Sequence, residues 1–140
     1  MSENLKLVRS ILAEWEEGDF RSVHWAHPEI EYLIADEPGS QMRRGVHAMA
    51  RTWSGFLTAW EDYRVEAREY RELDGERVLV ALTAKGRGRT SGLDIGATTG
   101  RRGSANLFHI RGGRVTRLVS YFDRDRALDD VGTAPPDLAA

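Results

Sequence analysis

The sequence predicts an α+β fold in which a strongly curved antiparallel sheet wraps around N-terminal helices to form a cone. Three observations lead there. Helical periodicity is concentrated in the first part of the chain, and strand-like alternation dominates after Tyr63. A Gly112-Gly113 turn joins two strands between Ala105 and Asp123, because both central residues of a tight hairpin need positive φ. Asn106, Phe108 and Ile110 share one face of that hairpin while Leu107 and His109 share the other, so both faces need covering. Helices followed by a run of strands satisfy this with short connections, the strands pairing as a meander over the helices.

Each element follows from its local pattern. Leu5, Val8, Ile11, Leu12 and Trp15 recur at helical spacing between Glu3 and Glu17, with Ser2 placed to cap the start and Gly18 to end it. Asp19 then heads an expected short second helix through Phe20, Val23 and Trp25, stopped by Pro28. Glu29 to Ile34 alternates weakly and reads as a strand, and Asp36 to Ser40 is a polar loop. The clearest helix runs from Gly45 to Trp60, because Val46, Met49, Ala50, Trp53, Phe56, Leu57 and Trp60 fall on one stripe. Tyr63 to Leu73 is a strand, Asp74-Gly75 a turn, and Val78 to Ala84 a strand that runs on into the glycine- and charge-rich Lys85–Gly92. The hairpin starts near Thr98, and Asp123 caps a last helix from Arg124 to Val131. Residues 1–132 read as one domain, and 133–140, rich in Ala and Pro, as a disordered tail.

Composition narrows the function classes. With 20 basic against 22 acidic residues the net charge is −2, which offers nucleic acid no general attraction. The absence of cysteine excludes disulfides, thiol nucleophiles and thiolate metal sites. His24, His27, His47 and His109 show no ligand spacing, so neither a metal nor another cofactor is expected. No apolar stretch is long enough for a signal peptide or membrane span, and a cytoplasmic protein without a membrane partner is the expectation.

Gly18-Asp19 after the first helix, Arg44-Gly45 before the long one, and Arg111-Gly112-Gly113-Arg114-Val115 followed by Ser120-Tyr121-Phe122-Asp123-Arg124 resemble the nuclear transport factor 2-like superfamily. Within it the sequence is most similar to the SnoaL-like group, which includes polyketide cyclases, and to limonene-epoxide hydrolase. The resemblance extends from Glu3 to Gly132. It implies a conical cavity lined by the first helix, the long helix and the concave sheet, in a homodimer joined through the convex face that carries Leu107, His109 and Tyr121. It leaves the chemistry open, because the superfamily holds isomerases, hydrolases, cyclases, dehydratases and non-catalytic proteins.

The family's pattern assigns the cavity Leu12, Trp15, Trp53, Phe56 and Trp60 from the helices. From the sheet it assigns Tyr32, Leu79, Ala81, Thr83, Asn106, Phe108, Leu118, Ser120 and Phe122. A strict two-residue turn puts Ile110 and Val115 on one face and turns Leu118 away; the similar segment of the epoxide hydrolase keeps both inward, which implies a one-residue bulge. The implied pocket is aromatic with few polar groups and suits a small, mostly apolar ligand. A tryptophan on a helix stripe also packs as core, a reading that applies to Trp53 above all.

The catalytic sets of characterised relatives are missing. Where ketosteroid isomerases place a base, an acid and a helix tyrosine, this chain has Tyr32 (next to Glu31), Asn106 and Ile11. Where the epoxide hydrolases place an arginine and two aspartates, it has Thr83, Lys85 and Ser120. Alternation turns Glu31, Asp123 and His109 away from the cavity, to solvent, to a helix cap and to the convex face. Arg87 is either an exposed strand-edge residue or a guanidinium reaching over the cavity mouth to a ligand carboxylate or enolate. Two functions stand. One is an isomerase- or cyclase-type enzyme acting on a carbonyl compound, with Tyr32 and Asn106 as neutral hydrogen-bond partners of an enolate and Arg87 as charge support. The other is a non-catalytic small-molecule-binding or accessory homodimer.

Overall fold

The computed structural model describes residues 1–89 and 103–132. The expected hairpin start near Thr98 and the expected tail at 133–140 lie outside the described residues. Helix α1 spans Glu3–Glu16, with the Ser2 hydroxyl accepting the Leu5 N–H at 3.0 Å, and it buries Val8, Ile11, Leu12 and Trp15. Strand β1 (Ala26–Ile34), the two-residue β2 (Arg43–Arg44) and helix α2 (Val46–Thr58) follow. Then come β3 (Trp60–Glu72), β4 (Arg77–Gly88), β5 (Ser104–Arg111), β6 (Arg114–Tyr121) and α3 (Arg124–Val131).

Two expected helical segments are not helical. Between Gly18 and Ala26 there is no second helix, although the Asp19 carboxylate accepts hydrogen bonds from the Arg21 and Ser22 N–H groups and from the Ser22 hydroxyl as a helix cap would. So short a segment before β1 does not offset the cost of helix nucleation. Trp60, expected at the end of the long helix, instead opens β3 opposite Gly88. The helix ends at Thr58 with Ala59 as its cap, and the Ala59 carbonyl accepts the Arg89 N–H at 3.0 Å, so pairing with β4 captures the chain two residues early.

The sheet order is β2-β1-β6-β5-β4-β3. Strands β3 to β6 form the expected antiparallel meander, but β1 runs parallel to β6, so the sheet is mixed. Strands β2 to β5 and α2 lie between those two strands in sequence, long enough for the crossover that parallel pairing requires. Pairing of β1 with β6 shifts between Ala26 and Glu31, and Pro28, which has no N–H to give, sits in that interruption.

The hairpin follows the bulged register. Gly112 and Gly113 have φ of 60° and 76°, and Arg111 faces Arg114 across the turn. His109 pairs with Arg117 and Ile110 with Val115, leaving Thr116 as the extra residue, its hydroxyl donating to the His109 carbonyl at 3.3 Å. Phe108 therefore faces Leu118 and Asn106 faces Ser120. At the other end of β5, Gly103 adopts φ +91°, and a Cβ there would lie 2.3 Å from the Leu82 carbonyl oxygen.

The sheet has two apolar faces. The concave one joins α1 and α2 in a core around Val8, Ile11, Leu12, Ile30, Met49, Phe108 and Leu118. The convex one joins Leu79, Ala105, Leu107, Val119 and Tyr121 to Ala127 and Leu128 of α3. Asp123 caps α3 by accepting the Asp125 N–H, and the Tyr121 hydroxyl donates to Asp130 at 3.0 Å. Leu107 and Tyr121, for which a second subunit was expected, are thus covered by the chain's own last helix.

Candidate functional site

Toward the open end of the cone the concave core gives way to a cavity of about 100 Å³. Trp15 from α1 and Trp53, Phe56 and Leu57 from α2 wall it on the helical side, with Phe20 from the segment after α1. Tyr32, Tyr63, Leu82, Asn106, Ser120 and Phe122 are among the residues that wall it on the sheet side. Ring packing sets its shape: Trp53 stands edge-on to both Trp15 (5.4 Å, 88°) and Tyr32 (6.0 Å, 86°). Phe56 lies nearly parallel to Phe122 at 6.4 Å and perpendicular to Tyr63 at 5.3 Å.

One polar relay crosses this apolar wall. Ser120 Oγ donates to Asn106 Oδ1 at 2.7 Å, and Tyr32 Oη lies 3.1 Å from Ser120 Oγ. A hydroxyl has a single proton, and that of Ser120 goes to Asn106, so Tyr32 is the donor in the second bond. Turning the Asn106 amide by half a rotation makes its NH₂ the donor to Ser120, which then donates to Tyr32 and frees the phenol O–H. The relay thus offers the cavity either the Asn106 amide N–H or the Tyr32 O–H. Adjacent strands build it: Asn106 and Ser120 are cross-strand partners, and Tyr32 pairs with Leu118 two residues along β6.

Burial sets the ionisation of the wall. It pushes the Tyr32 phenol above its ordinary value, an effect that the Ser120 and Trp53 side chains oppose. Tyr63 is raised for the same reason, with the nearby Tyr32 phenol adding to it, and its hydroxyl makes no hydrogen bond with a described residue. Trp15 Nε1 is buried without a hydrogen-bond partner among the described residues, in a cage that includes the edge-on rings of Trp25 and Trp53. The described lining residues include no carboxylate, imidazole, amine or guanidinium. Nor does any group of three or more His, Asp or Glu side chains among the described residues converge as a metal site would.

The residues singled out from sequence separate into three sets. Tyr32, Asn106, Ser120, Trp15, Trp53, Phe56 and Phe122 meet at the cavity. Leu12, Phe108 and Leu118 face the same way but are fully buried in the closed core, and Trp60 lies one layer out against Phe56 at 6.1 Å. Leu79, Ala81 and Thr83 face away, correcting the expected parity of β4. Val78 and Val80 pair with Phe108 and Asn106, and cross-strand partners share a face, so the odd-numbered residues turn to the convex side. There Leu79 packs with α3, and Thr83 accepts a hydrogen bond from Arg68 at 3.1 Å. Arg87 has the same parity; it is exposed, stands opposite Glu61, and is not brought to the described cavity wall.

Phe20, Tyr63, Leu82 and Ser104 were missed as lining residues. For Leu82 the sequence held no signal, since β4 is apolar on both faces and only its pairing with β5 turns Leu82 inward. Phe20 lies between elements, and Tyr63 lies at the register shift of β3 between Glu61 and Arg64, so in neither case does plain alternation point the side chain. Asp36 was read as part of a polar loop, yet its carboxylate accepts both the Phe122 and Asp123 N–H groups at 2.9 Å and so anchors the segment carrying Phe122.

The other candidate acids and bases have structural partners. Glu31 accepts two bonds from Arg117 at 2.7 and 2.9 Å and one from Arg44 at 3.1 Å, and these pairs hold its carboxyl below the usual range. His109 is lowered by partial burial first and then by Arg117 and Arg77.

A family model described as SnoaL-like domain matches residues 8–118. A comparison with curated proteins finds no match. Among solved structures, a candidate polyketide cyclase from Sinorhizobium meliloti is 22% identical with a TM-score of 0.60, the match covering 86% of this chain and 99% of that one. TerC, co-crystallised with polyporic acid, is 21% identical with a TM-score of 0.65 over 94% and 100%. A nuclear transport factor 2-like protein of unknown function from Burkholderia pseudomallei is 18% identical with a TM-score of 0.67 over 92% and 97%. At these identities the structural likeness speaks to fold alone.

Proposed function

This chain belongs to the SnoaL-like domain family, and we propose that its cavity binds a small, mostly apolar carbonyl compound and acts on it as a cyclase or isomerase. The observation that carries this reading is the Tyr32–Ser120–Asn106 relay, a neutral hydrogen-bonding group set into an aromatic wall. The structural neighbours named for polyketide cyclisation and for a complex with polyporic acid support it.

The relay suits a carbonyl oxygen that gains negative charge, because either of its proton arrangements aims a donor into the cavity. With no base on the described wall, the fitting reaction is one whose proton stays within the substrate. In an intramolecular ring closure the substrate's enol carbon attacks its own ketone carbon, a C–C bond forms, and the enol proton ends on the former ketone oxygen. Tyr32 and Asn106 would lower the barrier by stabilising that oxygen as it becomes an alkoxide.

Tryptophan emission tests the binding, since Trp15 and Trp53 line the cavity. Saturable quenching by a ketone, enone or polyketide, followed by turnover of the best ligand, is expected. Tyr32→Phe and Asn106→Ala should each lower that turnover about a hundredfold, the scale for losing one oxyanion donor. Unchanged turnover in both variants means the roles are assigned wrongly. A second reading, a non-catalytic binding protein, is favoured by the lack of an ionisable side chain suited to proton abstraction on the described wall. Saturable binding with no consumption of any ligand would establish it.

A further inference from the structure

We propose that the cavity selects a neutral, single-ring molecule with two oxygen substituents, one held at the Tyr32–Ser120–Asn106 relay and the other at the Tyr63 hydroxyl, and that it rejects the same ring as an anion. This rests on the small-molecule reading above and narrows it to a ligand class.

Size comes first. A dry cavity of about 150 Å³ in an unrelated protein accommodates benzene. At about 100 Å³ the space between Trp53, Phe56 and Phe122 is smaller than that, so one ring is the most it encloses and two fused rings exceed it. The edge-on and near-parallel packing of those side chains favours a flat ring.

The two polar contacts come from opposite sides of the curled sheet. Tyr32 lies on β1 and Tyr63 on β3, which is the far edge strand from it, yet both line the same cavity. Each residue of the relay has a partner within it and one donor is left for the cavity, whereas the Tyr63 hydroxyl has no described hydrogen-bond partner. A ring with one oxygen leaves Tyr63 as it is. A second oxygen across the ring gives that hydroxyl, on a partly buried ring at the cavity wall, a partner that it lacks among the described residues.

Charge selection follows from the wall. Facing the cavity, β1 contributes the phenol Tyr32 and β3 the phenol Tyr63, while Tyr121 of β6 turns its ring to the convex face and α1, α2, β4 and β5 contribute no ionisable side chain among the described residues. Both phenols stay neutral well above pH 7, because burial raises each of them. The charge that acts on Tyr32 from outside the wall is the carboxylate of Glu37, which also disfavours an anion. An ionised ligand would lose its water without meeting a described cation.

4-Nitrophenol tests this on the unaltered protein, because its absorbance reports its ionisation directly. Phenol, hydroquinone, benzoate and 2-naphthol are titrated beside it by tryptophan quenching. The bound nitrophenol should ionise about one unit or more higher than the free molecule, equivalent to at least tenfold weaker binding of the anion. Hydroquinone should bind about tenfold tighter than phenol, with Tyr63→Phe bringing that ratio close to one. A lowered ionisation midpoint, benzoate binding as well as phenol does, or 2-naphthol binding as tightly as hydroquinone would each overturn the inference and leave the small-molecule reading standing. No saturable response to any of these probes, or to the ketones and enones above, would overturn both.

Discussion

The closed and the hollow ends of the cone are built from the same two helices and the same strands, yet they are packed differently. At the closed end Val8, Ile11, Leu12, Ile30, Phe108 and Leu118 are 0% exposed, and small branched side chains interdigitate around Phe108. At the hollow end the side chains are mainly aromatic, and Trp53, Phe56, Tyr63 and Phe122 are only partly buried. Trp15 marks the boundary, touching Phe108 at 5.9 Å on one side and Trp53 at 5.4 Å on the other. Large flat rings meeting edge to face do not fill space as branched aliphatics do, and the gap they leave is where the polar relay sits. The comparison teaches that close packing and the hollow are assigned here to different layers of one concave surface.

The sharpest way to break that separation is Phe108→Ala. It should cost about 3–5 kcal/mol by chemical denaturation, because the closed end cannot collapse into the space left. A cost near 1 kcal/mol would mean that this end is loosely packed as well. Gly103→Ala comes next: at φ +91° and with the Leu82 carbonyl 2.3 Å from the new Cβ, about 2 kcal/mol or more should be lost. Normal stability in that variant would show that the junction of β4 and β5 can relax. Phe122→Ala at the hollow end should cost only about 1 kcal/mol, while weakening ligand quenching by more than Phe122→Leu does. Equal stability losses for Phe108→Ala and Phe122→Ala would erase the distinction.

The smallest effect tests the convex face against both ends. Arg117 and then Arg44 hold the Glu31 carboxyl below its ordinary value of 4.5, so in the folded state it binds its proton less readily than in the unfolded chain. Its contribution to stability is complete above that ordinary value and is lost as pH falls through the lowered folded-state value. Glu31→Gln should therefore be less stable than wild type near neutral pH, with the gap closing in acid, as denaturation midpoints across that range will show. A gap that persists in strong acid would mean that the substitution acts by packing, not charge.

Much of this was legible along the chain, and the failures are specific. The hairpin register was readable because Gly112-Gly113 marks the turn and the two apolar sets agree only if a residue is bulged, as Thr116 is. Asp123 could be recognised as a cap because capping uses neighbouring atoms. For β4 the facing was misjudged: Val78 to Ala84 is apolar on both faces, so its composition does not say which set turns inward. Trp60 fitted the helix stripe, and only the distant partner Gly88 drew it into a strand. Arg87 could be read toward the mouth or away from it until pairing with β3 set its parity.

Sequence alone determined what depends on neighbours within a few residues: the capped first helix, the glycine turn, the alternation of the hairpin and the neutral, aromatic character of the residues available to a cavity. The tertiary structure decided what depends on partners far apart in the chain. These are the parallel pairing of β1 with β6, the inward face of β4, the covering of the convex face by α3, and the meeting of Tyr32, Ser120 and Asn106. The physical reason is that periodicity records which side chains share a face, whereas the choice of face and the curl of the sheet are set by packing among all the elements at once.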